Sequence, residues 1–339
     1  ILDLKNKRQP TPVGITALTV RATGGFVWYQ ATPADTAGQP VVIAYQTGVD
    51  PGKLAQADGD YERHRNRAIE WKKFDSGSDV VNALASGNVV IGNIGSSPFA
   101  AAASRNLPID TFLITSRLGD SEALVVSNRS GIKEPRELIG KTIAVPFVST
   151  THYSLLCALK NWGISEDQTK IINLRPPEIA AAWARGDIDA TYVWEPVLGK
   201  VKANGTVLTD SGKLAEQGAA TYDLWVVRRD FAENNPDFLK SFVQTTLKSI
   251  SDYHQNPKAF ADNAEHARKI AALTGSNTND IPLLLTGNTY LNEFQQREVL
   301  QGEFAQNIAD TANFLKSQGK VDQVKPDYHD HINVRFLQP

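Results

Sequence analysis

From residue 41 onward, short apolar runs alternate with segments whose apolar residues recur at helical spacing. That alternation restricts the chain to α/β architectures with mainly parallel sheets, because parallel neighbours must be joined by crossover helices. Strands are expected at 41–45, 69–74, 89–94, 111–114, 123–126, 143–147, 170–174, 190–193 and 224–227. Helices are expected near 54–62 and 79–86, from Pro98 onward, through Leu155, Leu156 and Leu159, and at 177–185, and the region after Pro236 reads as largely helical, at 237–253, 257–273 and 293–318.

The order of elements suggests two units. One lobe would comprise 41–126 and 225–339, the other 127–224, with the strands at 123–126 and 224–227 as the two crossings between them. A lobe inserted between two crossings leaves a cleft, and ligands of such sheets bind beyond the C-terminal ends of the strands. Residues 1–40, with four prolines and little periodicity, are expected to lie outside the fold as a leader or extension.

Composition narrows the function. A net charge of −2 gives no footprint for nucleic acid, and no apolar run reaches the length of a membrane span. The single Cys157 excludes an internal disulfide and a cysteine-rich zinc site, and its position suggests a small core residue. Gly140-Lys141-Thr142 resembles the end of a phosphate loop, but Pro135 stands where that motif needs glycine and a strand follows instead of a helix. There is no G-x-S-x-G and no H-E-x-x-H, and the six histidines are scattered. His152 lacks a readable acid partner, so no catalytic residue, cofactor or metal is expected.

The informative stretch is 144–156, A-V-P-F-V-S-T-T-H-Y-S-L-L: strand, polar turn, helix. Gly95-Ser96-Ser97-Pro98 repeats the pattern, with Ser97 expected as the cap and Pro98 as the first helical residue. Hydroxyls and orphan N–H groups at a helix start can hold an anion without lysine or arginine, although plain capping explains one such junction equally well. The other strand ends carry Glu122 and Asp223, with Tyr153, Trp194 and Trp225 nearby. Carboxylates and indole faces suit an ammonium group, so the combination suits a small zwitterion.

These stretches resemble the periplasmic taurine-binding proteins of bacterial ABC importers, within the aliphatic sulfonate and nitrate-binding group. The resemblance covers roughly 41–336. It rests on Ala44-Tyr45-Gln46-Thr47, K-F-D-S-G (73–77), G-S-S-P (95–98), S-E-A-L-V-V (121–126), S-T-T-H-Y-S (149–154), R-G-D-I-D-A-T-Y-V-W-E-P (185–196), D-L-W-V-V-R (223–228) and G-N-T-Y (287–290). It implies a type II-like, two-lobed periplasmic binding protein with a hinge of two crossing segments. Such a protein would be exported to the periplasm and monomeric, and would deliver taurine to a permease and its ATPase. Without an N-terminal cysteine to carry a lipid, a free form is expected. By the same resemblance, Ser96, Ser97, Thr150 and Thr151 would meet the sulfonate, and Glu122 and Asp223 the ammonium. Gln46 and Tyr153 would bond at the edge, and Trp194 and Trp225 would wall the pocket. A general alkanesulfonate binder is the nearest alternative; a pyrimidine-precursor synthase on the same scaffold would need a cysteine-rich motif that Cys157 alone does not supply.

Overall fold

The computed structural model describes residues 20–23, 26–29 and 38–338. The expected leader falls mostly outside the described residues. Its described part is an antiparallel pair, β1 (Val20–Thr23) and β2 (Phe26–Tyr29), which joins neither of the two larger sheets.

Five strands make the first sheet. β3 (Val41–Tyr45) pairs in parallel with β4 (Ile69–Lys73) and β5 (Ile91–Gly95). The intervening helices are α1 (Gly52–Asp58), α2 (Asp60–Arg65) and α3 (Gly77–Ser86), and α4 (Ser96–Ser104) follows β5. The single helix expected near 54–62 is two, because Gly59 takes a left-handed φ of 74° and ends α1. β6 (Ile109–Arg117) completes this part at the sheet edge.

The second sheet contains β7 (Ala123–Ser127), β8 (Thr142–Val145), β9 (Lys170–Asn173), β10 (Ala190–Val193) and β11 (Gly205–Asp210), in the order β11-β7-β10-β8-β9. Its helices are α5 (Thr150–Asn161), α6 (Pro176–Arg185), α7 (Val197–Lys202) and α8 (Ser211–Glu216). Leu124 and Val126 enter one core cluster while Ala123 and Val125 enter the other, so both faces of β7 are covered. That is the period of two expected of a strand between two helical layers.

β12 (Tyr222–Arg228) returns to the first sheet, giving the order β4-β3-β5-β12-β6. The remaining chain is helical: α9 (Arg229–Asn234), α10 (Pro236–Gln255), α11 (Pro257–Asp262), α12 (Ala264–Thr274), α13 (Ile281–Thr286), α14 (Glu293–Gln301) and α15 (Phe304–Ser317). Asn263 caps α12 and Gly302 ends α14, which divides two segments expected to be continuous. Along α10, Phe238, Phe242, Val243, Ile250 and Tyr253 lie buried at helical spacing, and this stripe packs into the first core.

Both sheets are mixed, because β7 and β12 run antiparallel to their neighbours. Sheet membership also moves the crossings. β7 belongs wholly to the second sheet and β12 to the first, so the chain passes between them just before each strand and not within it. The two passages lie side by side, with Leu118 N–H donating to Thr221 O at 2.9 Å.

Antiparallel entry has a consequence for the site. The starts of β7 and β12 reach the same edge as the ends of the parallel strands: Asp223 pairs with Gly95, and Ala123 with Val193. Acids at the starts of antiparallel strands therefore meet loops following parallel ones.

Candidate functional site

The facing edges of the two sheets enclose a cleft of about 560 Å3, including its opening to solvent. From the first sheet come Gln46, Gly48, Asn93, Gly95, Pro98 and Asp223; from the second come Glu122, Ser149, Thr150, Trp194 and Glu195. Ser121 and Asn288 close it on the hinge side.

Ser149 is the N-cap of α5: its Oγ accepts from His152 N–H at 3.1 Å and donates to Pro146 O at 2.6 Å. This turn places Thr150 at the cleft, where its Oγ1 donates to both Glu122 oxygens, at 2.7 and 3.0 Å. Opposite, Gly95 approaches so closely that a Cβ there would lie 2.5 Å from Thr150 Cγ2. Thr47 Oγ1 donates to Glu195 O at 2.6 Å, again between the two lobes. Gln46 Nε2 donates to Asn93 O at 2.9 Å, and Asn93 Nδ2 donates to Thr115 Oγ1 and Leu224 O, which fixes the cleft floor.

Charge is the unusual feature. Three carboxylates line the cleft, and among the described residues no lysine, arginine or histidine does. Burial pushes the Glu122 carboxyl well up, and Asp223 pushes it further; the Thr150 hydrogen bond opposes this only in part. Asp223 is raised by burial and by Asp50, against the nearby Lys53 ammonium. Lys53 is itself paired with Asp50 at 3.0 Å, so it offsets the Asp223 charge only in part. Glu195 is pushed up to about 7 by burial and by Asp280, with Lys202 and a Gly199 backbone bond pulling the other way. Carboxyls brought together out of water disfavour their charged forms, and an incoming cation would reverse that.

Of the residues singled out in the sequence, Gln46, Glu122, Thr150, Trp194 and Asp223 line the cleft. The other five face elsewhere. α4 begins two residues earlier than expected, with Gly95 as its N-cap, so Ser96 and Ser97 sit inside the first turn. Ser96 Oγ accepts from Tyr222 N–H at 3.1 Å, and Ser97 Oγ is buried without a partner. Thr151 turns back to Ser149, 2.9 Å between hydroxyls. Tyr153 lies one turn along α5 and meets Phe314 edge-on at 5.1 Å. Trp225 packs on Phe242 at 5.0 Å in the first core.

His152 is a scaffold residue. Its ring stacks on Phe147 at 4.5 Å, and Nδ1 accepts from Val148 N–H at 3.1 Å. Burial and Lys320 lower its pKa to about 4, which keeps that nitrogen an acceptor at neutral pH. Val148 takes a left-handed φ of 67°, a costly conformation for a β-branched residue that this bond holds in place. Cys157 is half-buried, not fully in the core.

Glu195 and Asn288 were not singled out, although both stand inside stretches that carry the resemblance. Glu195 stands two residues past the end of β10, so its place at a strand end was the available signal. Asn288 lies in a connection between helices, where no periodicity marks it.

Across the cleft mouth, Arg175 Nη2 meets Asp79 Oδ1 at 3.2 Å. The guanidinium is 66% exposed, so salt screens the pair. Arg175→Ala is expected to quicken ligand release by roughly two- to threefold at low salt and to have no effect at high salt, read by stopped-flow.

Residues 39–272 match the family described as the substrate binding domain of the ABC-type glycine betaine transport system. The taurine-binding periplasmic protein of Escherichia coli K12 is 48% identical over 320 residues, covering 94% of this chain and 98% of that protein. A putative aliphatic sulfonates-binding protein of Bacillus subtilis is 25% identical, covering 87% of this chain and 86% of that protein. In three dimensions the chain is similar to the crystal structure of the periplasmic aliphatic sulphonate binding protein of Escherichia coli. The TM-score is 0.69 at 21% identity, over 88% of this chain and 98% of that one, which speaks to fold.

Proposed function

This chain belongs to the substrate-binding proteins of ABC-type importers, in their taurine-binding branch, and from that membership we propose that it captures taurine in the periplasm for delivery to a permease. The observation that carries the reading is the charge of the cleft. Two buried carboxylates, Glu122 and Glu195, and the partly buried Asp223, without a lining cation, call for a ligand that brings its own positive charge. The ammonium of taurine would sit between Glu122 and Asp223, with Glu195 nearby.

The sulfonate needs donors that carry no net charge. The start of α5 offers unpaired backbone N–H groups at the positive end of a twelve-residue helix, the Thr150 hydroxyl itself being given to Glu122. Gln46 adds an amide from the first lobe. Of the residues first assigned to the sulfonate, Thr150 is the one that faces the ligand; Ser96, Ser97 and Thr151 would act by shaping the helix starts. Trp194 would wall the pocket.

Closure follows from this division of partners. Glu122, Thr150 and Trp194 move with the second sheet, Gln46 and Asp223 with the first, so a bound zwitterion is fully satisfied only when the lobes meet. A ligand favours a state by the contacts made in that state alone. The mechanical units proposed are therefore the first sheet with the C-terminal helices, and the second sheet with α5–α8. The protein is a receptor and not an enzyme, with the permease and its ATPase as partners and a monomer as the proposed working form.

Calorimetry with taurine, ethanesulfonate and ethylamine tests the reading. Taurine is expected to bind at least about 100-fold more tightly than either fragment, since each leaves one end of the cleft unpaired. Equal affinity for ethanesulfonate would make the protein a general alkanesulfonate binder.

A further inference from the structure

The stretch 287–290 is not explained by ligand contacts alone. Asn288 Oδ1 accepts two hydrogen bonds from the first crossing, from Gly119 N–H at 2.8 Å and from Ser121 Oγ at 2.7 Å. The backbone does the same on either side. Arg117 N–H donates to Thr289 O at 2.8 Å, Thr289 N–H to Arg117 O at 3.0 Å, and Asp120 N–H to Gly287 O at 3.0 Å.

Residues 287–289 thus form a strap laid along 117–121. The contact is backbone on backbone: a Cβ on Gly119 would lie 2.0 Å from Gly287 O. The strap is anchored in the first lobe through the next residue, Tyr290. Its hydroxyl donates to Leu285 O at 2.7 Å and is hydrogen-bonded by Asn288. The first crossing is therefore tied to the first lobe as far as Ser121. One residue on, the allegiance changes: Glu122 O accepts from Ser211 N–H of the second lobe at 3.0 Å.

We infer that Asn288 is a positioning residue that sets the pivot of the first crossing at Ser121–Glu122, so that lobe rotation and the aim of the Glu122 carboxylate are one motion. Torsion about this junction swings the second lobe and, with it, the acid that lines the cleft. Without the Asn288 acceptor, Gly119 N–H and the Ser121 hydroxyl are released, only the backbone bonds at Arg117 and Asp120 still hold the crossing, and the pivot loosens over 119–121. The open state then gains conformations, and Glu122 no longer arrives in register with Asp223. The inference rests on the binding reading above and adds a residue that the ligand need not touch.

The test uses the full chain carrying Cys157→Ser, with spin labels on Asn82→Cys and Ala181→Cys, exposed positions on α3 and α6. In the parent, taurine is expected to shorten and sharpen the label distance. Asn288→Ala should broaden the ligand-free distribution, leave the saturated distance unchanged and weaken taurine binding roughly tenfold, the worth of one to two lost hydrogen bonds. Ser121→Ala should give part of that loss and add little in the double variant, since both remove one contact. An Asn288→Ala protein with a lowered Tm but parental affinity and parental distance distributions would make Asn288 merely structural and overturn the inference. A parent that neither binds taurine nor closes would instead sink the ligand assignment.

Discussion

Glu122→Gln is expected to weaken taurine binding by roughly 30- to 1,000-fold while making the ligand-free protein more stable above neutral pH. The binding loss follows from removing one partner of a buried charge pair, typically about 2–4 kcal/mol. The gain in stability has the opposite origin. The folded state raises the Glu122 and Asp223 carboxyls above their values in the unfolded chain, so it holds protons that the unfolded chain has released. Free-protein stability therefore falls as pH rises from the ordinary carboxylate range through neutrality. Glutamine keeps the Thr150 contact through its amide oxygen and has nothing to ionise, so the variant escapes the Glu122 share of that fall. The same linkage makes taurine binding tighten from pH 5 to pH 7.5 in the parent, with proton release measurable by calorimetry in buffers of different ionisation enthalpy. Asp223→Asn should behave alike, and the double variant should keep only the pH dependence that Glu195 supplies. A parent whose affinity is flat over this range, or a Glu122→Gln variant that binds as well as the parent, would remove the carboxylates from the ammonium site.

The second large effect is steric. Gly95→Ala puts a methyl group where Thr150 Cγ2 would be 2.5 Å away. Within one lobe such a clash would strain the fold. Here the two residues belong to different lobes, so the cheaper response is for the lobes to stand ajar. The φ of Gly95 is −73°, which alanine adopts without cost. The expected outcome is a free protein with near-parental Tm and taurine affinity lowered roughly 10- to 100-fold, the worth of about 1–3 kcal/mol of overpacking. Small-angle scattering at saturating taurine should report a more open particle. A variant that closes and binds normally would show that Thr150 can swing aside, and that the cleft tolerates a looser joint than the structure suggests.

Much of this was legible along the chain, and the reasons are local. Strand and helix periods identified the α/β class, and the strand-turn-helix junctions at 95–98 and 149–154 located two of the loops that face the cleft. Motif resemblance supplied the ligand class, which composition and periodicity could only narrow to a zwitterion. Helix ends at Gly59, Asn263 and Gly302 were missed because the flanking apolar pattern runs through them, while a cap or a left-handed residue ends the helix.

The side-chain assignments split by geometry. A residue at a helix start is one of three or four that span a full turn, and sequence does not say which of them points at the ligand. For α5 that phase favoured Thr150 and turned Thr151 back on the cap; for α4 a start two residues early buried Ser96 and Ser97. Trp225 sits two residues from Asp223 on the same strand face, yet distance from the sheet edge put one in the core and the other in the cleft.

The sequence by itself determined the class of fold, the family and the kinds of groups available at strand ends, because period, capping and motif are written in neighbouring residues. Only the tertiary structure decided that β7 and β12 enter antiparallel, so that Glu122 and Asp223 share one unneutralised cleft with Glu195. It alone also laid the 287–289 strap along the first crossing, since that contact joins segments with no local pattern in common.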